Sequence, residues 1–194
     1  MEKSNSDLGT RNNPNHNKHK KVFNFYELKN GSKISCHGKP TKSDIARLKK
    51  DYGVNTILTI LYEKEQPELI KKYVDEIQDI KWIHLPLRGA NMSLFMKPET
   101  QKMIINCILE LFEFMKDNKI VLYIHCAAGV HRTGTILYTI LRGTGETPET
   151  AMTAIKAIRI ETHRNCGEHR IKYAEEFLVQ PLPEALKNKN SDKK

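Results

Sequence analysis

Four short apolar runs, ISC, ILTIL, WIHLPL and IVLYIH, punctuate the chain between residues 34 and 125, and the stretches between them repeat apolar side chains every three or four positions. Short apolar runs bounded by turn residues predict buried strands, and the three-to-four spacing predicts amphipathic helices. GSKISCHGKP therefore predicts a strand ending in a turn, TKSDIARLKKDYG a helix with a polar start and a glycine stop, and VNTILTIL a second strand. PELIKKYVDEIQD and IKWIHLPL continue the alternation as helix and strand. After the loop RGANMSLFMKPE, a long helix over about residues 100–116 places Met103, Ile104, Cys107, Ile108, Leu111, Phe112 and Met115 on one face. IVLYIH is a further buried strand, residues 132–142 the helix that leaves it, and helices over 148–160 and 168–178 flank the loop ETHRNCG. Interleaved strands and helices imply an α/β three-layer sandwich around a central, mostly parallel sheet.

The ends break this rhythm. Residues 1–21, rich in Asn, Lys and His, and residues 181–194, rich in Lys, read as flexible polar tails, leaving one domain over residues 22–180. They also carry much of the formal charge of +9: the N-terminal tail holds +3, the C-terminal tail +2, and the body +4. The basic bias of the domain is thus mild, and the tail charges read as solubilising. No apolar run is long enough to cross a bilayer and the N-terminus has no secretory pattern, so the expectation is a cytoplasmic protein without membrane insertion. Cys36, Cys107, Cys126 and Cys166 show no paired spacing and are expected as thiols, with Cys107 filling the core. No glycine-rich nucleotide motif occurs, so neither an ATP-driven function nor a cofactor is expected. His163, Cys166 and His169 lack a fourth ligand for zinc, and no metal is expected.

The stretch HCAAGVHRTG, residues 125–134, carries the candidate chemistry. At the carboxyl end of a parallel strand, backbone N–H groups of the following turn and helix start converge, and such a nest binds an anion. Ala127, Ala128, Gly129, Val130 and His131 would supply that phosphate cradle. The same field favours a thiolate at Cys126, a nucleophile at neutral pH. Arg132 adds a planar fork that grips two phosphate oxygens. Cradle, thiolate and fork together point to attack on phosphorus through a phosphocysteine. Thr133 follows, with a hydroxyl placed to stabilise the departing sulfur. His125 reads as a scaffold that orients the loop, and His131 as a solvated group or an added positive charge.

HCAAGVHRTG matches the H-C-x-x-G-x-x-R-[ST]-G signature and resembles the cysteine-dependent protein tyrosine phosphatase superfamily. The chain length and element order are similar to its atypical dual-specificity branch over roughly residues 30–180. The resemblance implies Cys126 as nucleophile, Arg132 as phosphate binder and Thr133 in support, with a phosphorylated protein or small phosphorylated molecule as substrate. It also implies an aspartic acid some 30 to 35 residues before the cysteine, but that window here is LRGANMSLF, without Asp or Glu. Asp79 and Glu99 flank it and read as surface residues; Glu161 and Glu168 lie in the loop between the last helices. A missing acid favours good leaving groups, so a phosphoanhydride hydrolase acting on inositol pyrophosphates or RNA 5′-triphosphate ends is the alternative. Only under that alternative is RNA a partner. A phosphate-binding pseudophosphatase is the remaining reading.

Overall fold

The structure, a computed structural model, describes residues 21–89 and 91–191. Strands β1 (Tyr26–Glu27), β2 (Lys33–Gly38), β3 (Thr56–Thr59), β4 (Lys81–His84) and β5 (Val121–Cys126) form one sheet in the order β1-β2-β5-β3-β4. All neighbours are parallel except the short antiparallel β1–β2 pair. Central β5 is covered on both faces, which is why its sequence is apolar at every position but His125 rather than alternating. Leu122, Ile124 and Cys126 join the larger apolar cluster, and Tyr123 joins the smaller one on the opposite face.

Helices α1 (Lys42–Tyr52) and α2 (Pro67–Ile77) cover the Tyr123 face through Ile45, Leu48, Ile70 and Val74. α1 starts at a capping box between Thr41 and Asp44 and stops at Gly53, whose φ of 71° closes the helix. The other face carries α3 (Met92–Phe95), α4 (Pro98–Asp117), α5 (His131–Gly143), α6 (Pro148–Ile158), α7 (Ile160–Asn165), α8 (Glu168–Tyr173) and α9 (Leu182–Ser191). α8 runs on into a wider helical turn over Ala174–Val179.

The three-layer sandwich is thus as expected. Three differences stand out. ETHRNCG, expected as a loop, is mostly helix α7, packed on α5 and α6. The expected tail from residue 181 is helical through Ser191, because Leu182 is 2% exposed and Ala185 and Leu186 pack beside it at helical spacing. Cys107 is half-buried at the margin of the core rather than inside it. The expected N-terminal tail lies outside the described residues up to residue 20; Lys21, its last member, is fixed by its Nζ to Asp44 Oδ2 (2.8 Å) and the Lys39 carbonyl (3.0 Å).

Candidate active site

β5 ends at Cys126 and α5 begins at His131, so the four residues Ala127, Ala128, Gly129 and Val130 form the turn at the carboxyl edge of the sheet, and the helix opens one residue before Arg132. The turn closes on β2. Gly129 has φ +71°, and a Cβ there would lie 2.2 Å from the His37 carbonyl carbon, so both conformation and space demand glycine. The loop carbonyls are tied outward. Lys39 N–H donates to Ala127 O (2.9 Å), and Arg159 Nη1 donates to Ala128 O (3.1 Å) and Gly129 O (2.7 Å). Thr162 Oγ1 donates to the same Gly129 O at 2.7 Å. With its carbonyls engaged outside, the turn is free to aim amides inward, and the Gly129 N–H donates to Cys126 Sγ at 3.2 Å. Cys126 is 3% exposed, while Ala127 and Ala128 are open to solvent and Val130 is half-buried. Thr133 is fully buried and its Oγ1 has no hydrogen-bond partner among the described residues.

Arg132 is held from the far side by Glu65, which sequence reasoning missed. Nη1 donates to Glu65 Oε2 (2.6 Å) and to Leu87 O (2.8 Å), and Nη2 donates to Glu65 Oε1 (2.7 Å). A guanidinium has five N–H donors. Nη1 is saturated and one Nη2–H is taken, so Nε–H and the second Nη2–H, an adjacent pair, bind no protein oxygen; the guanidinium also meets the Cys126 sulfur, and such a pair has the geometry that receives two oxyanion oxygens. Burial opposes the charge on Arg132, but Glu65 and the Cys126 sulfur beside it outweigh that, and its pKa lies above the ordinary value. The guanidinium conversely holds the Glu65 carboxyl below the usual carboxylate range, so Glu65 stays ionised and has no proton to donate. Its placement is backbone-encoded: a short 3-10 turn (Glu63–Glu65) precedes Gln66, which takes φ +60° to start α2.

The structure therefore gathers Cys126, the cradle residues, Arg132 and Thr133 at one point, and brings Glu65, Arg159, Thr162 and Lys39 to them. His131 is exposed at the rim; partial burial, with Arg170, His169 and Arg132, lowers its pKa. Cys36 and Cys166 are buried thiols pushed up to about 12 and about 11 by burial. No group of three or more metal-ligating side chains exists among the described residues, and His163, Cys166 and His169 make none.

None of the flanking carboxylates reaches the cradle as an acid. Asp79 sits in the turn before β4, at the opposite edge of the sheet from Cys126, where its carbonyl accepts from Lys49. Glu99 is exposed in the first turn of α4, 3.9 Å from Lys97. Glu161 is exposed at 3.5 Å from Arg159, and Glu168 at 3.1 Å from Lys172. Asp79→Asn and Glu99→Gln are accordingly expected to leave kcat toward p-nitrophenyl phosphate and a phosphotyrosine peptide within about twofold of wild type. A positioned acid contributes ~10²- to 10⁴-fold, so a large loss with phosphotyrosine in either variant would identify it as the acid.

His125 is 0% exposed, and burial is the main cause that lowers its pKa from 6.5 to about 3. A buried imidazole that stays neutral in the fold binds a proton only on unfolding. Its stabilising contribution is complete above 6.5 and is lost as pH falls toward about 3. Denaturant titrations of wild type at neutral pH and near pH 4 should show a drop in stability that is smaller in His125→Asn; equal drops would contradict a neutral buried His125.

The family described as "Swiss Army Knife protein, DSP-PTPase phosphatase domain" matches residues 24–178. A search of curated protein sequences finds no match. Among solved structures, the core catalytic domain of the PP-IP phosphatase SIW14 from S. cerevisiae in complex with citrate superposes with a TM-score of 0.58 at 15% identity, covering 86% of this chain and 92% of that one. PTPMT1 gives a TM-score of 0.57 at 19% identity over 84% and 99% of the two chains. Kinase associated phosphatase gives 0.55 at 17% over 79% and 97%. At these identities the likeness establishes a shared fold.

Proposed function

The chain belongs to the DSP-PTPase phosphatase domain family, within the atypical dual-specificity branch of the cysteine-dependent tyrosine phosphatases, and from that premise we propose that this phosphatase hydrolyses phosphomonoesters through a phosphocysteine on Cys126. The observation that carries the proposal is the Nε–Nη2 edge of Arg132, which binds no protein oxygen, on a guanidinium that meets a sulfur already accepting the Gly129 amide. In the proposed mechanism, the sulfur attacks phosphorus while the cradle amides and Arg132 hold the three equatorial oxygens, whose negative charge grows in the transition state. The S–P bond forms as the ester O–P bond breaks, and the leaving oxygen takes its proton from solvent unless it leaves as an anion. Water then attacks the phosphocysteine and gives its proton to solvent or to the departing phosphate; the O–P bond forms as the S–P bond breaks, returning the electron pair to sulfur, where the Thr133 hydroxyl can donate to it.

Because no carboxylic acid among the described residues is placed to protonate the leaving oxygen, substrates whose leaving group departs as a stable anion are favoured: aryl phosphates, phosphotyrosine among them, over phosphoserine. That same lack supports a second reading, a phosphoanhydride hydrolase, since a phosphate leaving group needs no proton. The structural relative from S. cerevisiae is a PP-IP phosphatase. A kcat/KM comparison across p-nitrophenyl phosphate, phosphotyrosine and phosphoserine peptides, an inositol pyrophosphate and triphosphate-ended RNA separates the two. The monoester proposal expects phosphotyrosine well ahead of phosphoserine and at least equal to the anhydrides. Anhydride rates far above every monoester would transfer the assignment to the second reading. A phosphate-binding protein without turnover would show none of these activities. No helix among the described residues is long and apolar enough to cross a membrane, and we propose a cytoplasmic enzyme.

A further inference from the structure

Trp82 is the one tryptophan of the sequence. It stands half-buried on β4, an edge strand, with β3 between it and the strand that bears Cys126. Its Nε1–H donates to Thr59 Oγ1 over 2.9 Å. Thr59, fully buried, is the direct neighbour of His125 across the β3–β5 ladder, and its Oγ1 lies 2.9 Å from His125 Nε2. His125 Nδ1 in turn lies 3.3 Å from the backbone carbonyl of Cys126.

The ends of this chain fix its direction. An indole N–H can only donate and a backbone carbonyl can only accept. His125 Nδ1 faces the Cys126 carbonyl and must donate to it, so the single proton of a neutral imidazole rests on Nδ1 and Nε2 is left to accept. Thr59 Oγ1 therefore donates its proton to Nε2, while a lone pair of the same oxygen accepts from Trp82. Burial keeps the ring neutral, which this arrangement requires, because a doubly protonated ring could not accept from Thr59. A trans peptide points its C=O and the next N–H in opposite directions. A Cys126 carbonyl held toward His125 therefore turns the Ala127 N–H away from the imidazole, and this peptide plane is the entry of the cradle.

We propose that Trp82 and Thr59 are positioning residues for the phosphatase reaction, fixing the tautomer of His125 and through it the peptide plane that carries Cys126 into the cradle. The proposal rests on Cys126 as nucleophile. Neither residue touches the reacting atoms, so their effect falls on kcat rather than on KM.

The test measures p-nitrophenyl phosphate turnover by the full chain. Trp82→Phe keeps an aromatic ring and removes the N–H; Thr59→Val keeps the shape and removes the hydroxyl. Each is expected to lower kcat by about 3- to 10-fold with KM unchanged within about twofold. The double variant should be no slower than Thr59→Val alone, because both changes break one chain. Losses that multiply in the double variant, or a kcat of Trp82→Phe equal to wild type, would overturn the relay. A second readout is the single indole N–H resonance. At saturating vanadate, an oxyanion for the cradle, it should move in wild type and stay fixed in Thr59→Val; movement in both or in neither overturns the relay as well. Cys126→Ser distinguishes the two failures. If it is inactive while Trp82→Phe behaves as wild type, the relay alone is wrong; if it turns over normally, the nucleophile assignment is wrong too.

Discussion

Cys126→Ser is expected to lower turnover of p-nitrophenyl phosphate by ~10³-fold or more while leaving the fold and oxyanion binding intact. The substitution changes one atom at a position that is 3% exposed, and a hydroxyl can still accept the Gly129 N–H. What it removes is the proposed nucleophile: a serine hydroxyl is far less acidic than a thiol, and the hydrogen bond that the structure gives this position comes from the Gly129 amide, which cannot act as a base. The neighbouring imidazole is no substitute, because His125 faces the Cys126 carbonyl and Thr59 rather than the sulfur. Steady-state kinetics with vanadate binding as a control checks this. Lost activity together with lost vanadate binding would show that the substitution had collapsed the cradle instead.

Arg132→Lys should be nearly as damaging, lowering kcat/KM by roughly 10²- to 10³-fold, although it keeps the positive charge. An ammonium is a point charge without a planar fork. It cannot bind Glu65 through two parallel N–H bonds on one edge and offer two more on the adjacent edge, as Arg132 does. The loss should include a raised KM, since the proposed fork would act on substrate and transition state alike, and it should be larger than that of Glu65→Gln, which leaves the guanidinium in place. If Arg132→Lys kept more than about a tenth of wild-type kcat/KM, the fork would contribute less than one ordinary oxyanion donor.

The parts of this site that were legible in the sequence are those that lie within ten consecutive residues. HCAAGVHRTG encodes the proposed nucleophile, the positive-φ glycine, the proposed fork and the helix start without help from elsewhere, because a strand-turn-helix is a local structure. Residues that arrive through the fold were not legible. Glu65 reaches Arg132 across 67 positions, and nothing in YEKEQ separates it from Glu63. Arg159 reaches the Gly129 carbonyl across 30 positions, from a stretch whose charge looks like an ordinary solvated surface. The same contrast applies to the fold. The apolar strand runs and α4 announced themselves through period and length. β1 is two residues long, and α9 places three apolar residues, Leu182, Ala185 and Leu186, on the core from a lysine-rich segment, signals too weak to outweigh composition. The missing acid was legible as an absence in LRGANMSLF, and the structure adds that Glu65, the carboxylate in contact with Arg132, is ionised.

The central claim is a covalent bond between phosphorus and one sulfur. A rapid denaturing quench during turnover of a radiolabelled aryl phosphate, followed by digestion and mapping of the labelled peptide, addresses it directly. The label should be found on Cys126 and be absent from Cys126→Ser. Label on any other side chain, or undiminished turnover by Cys126→Ser without label at this position, would contradict it.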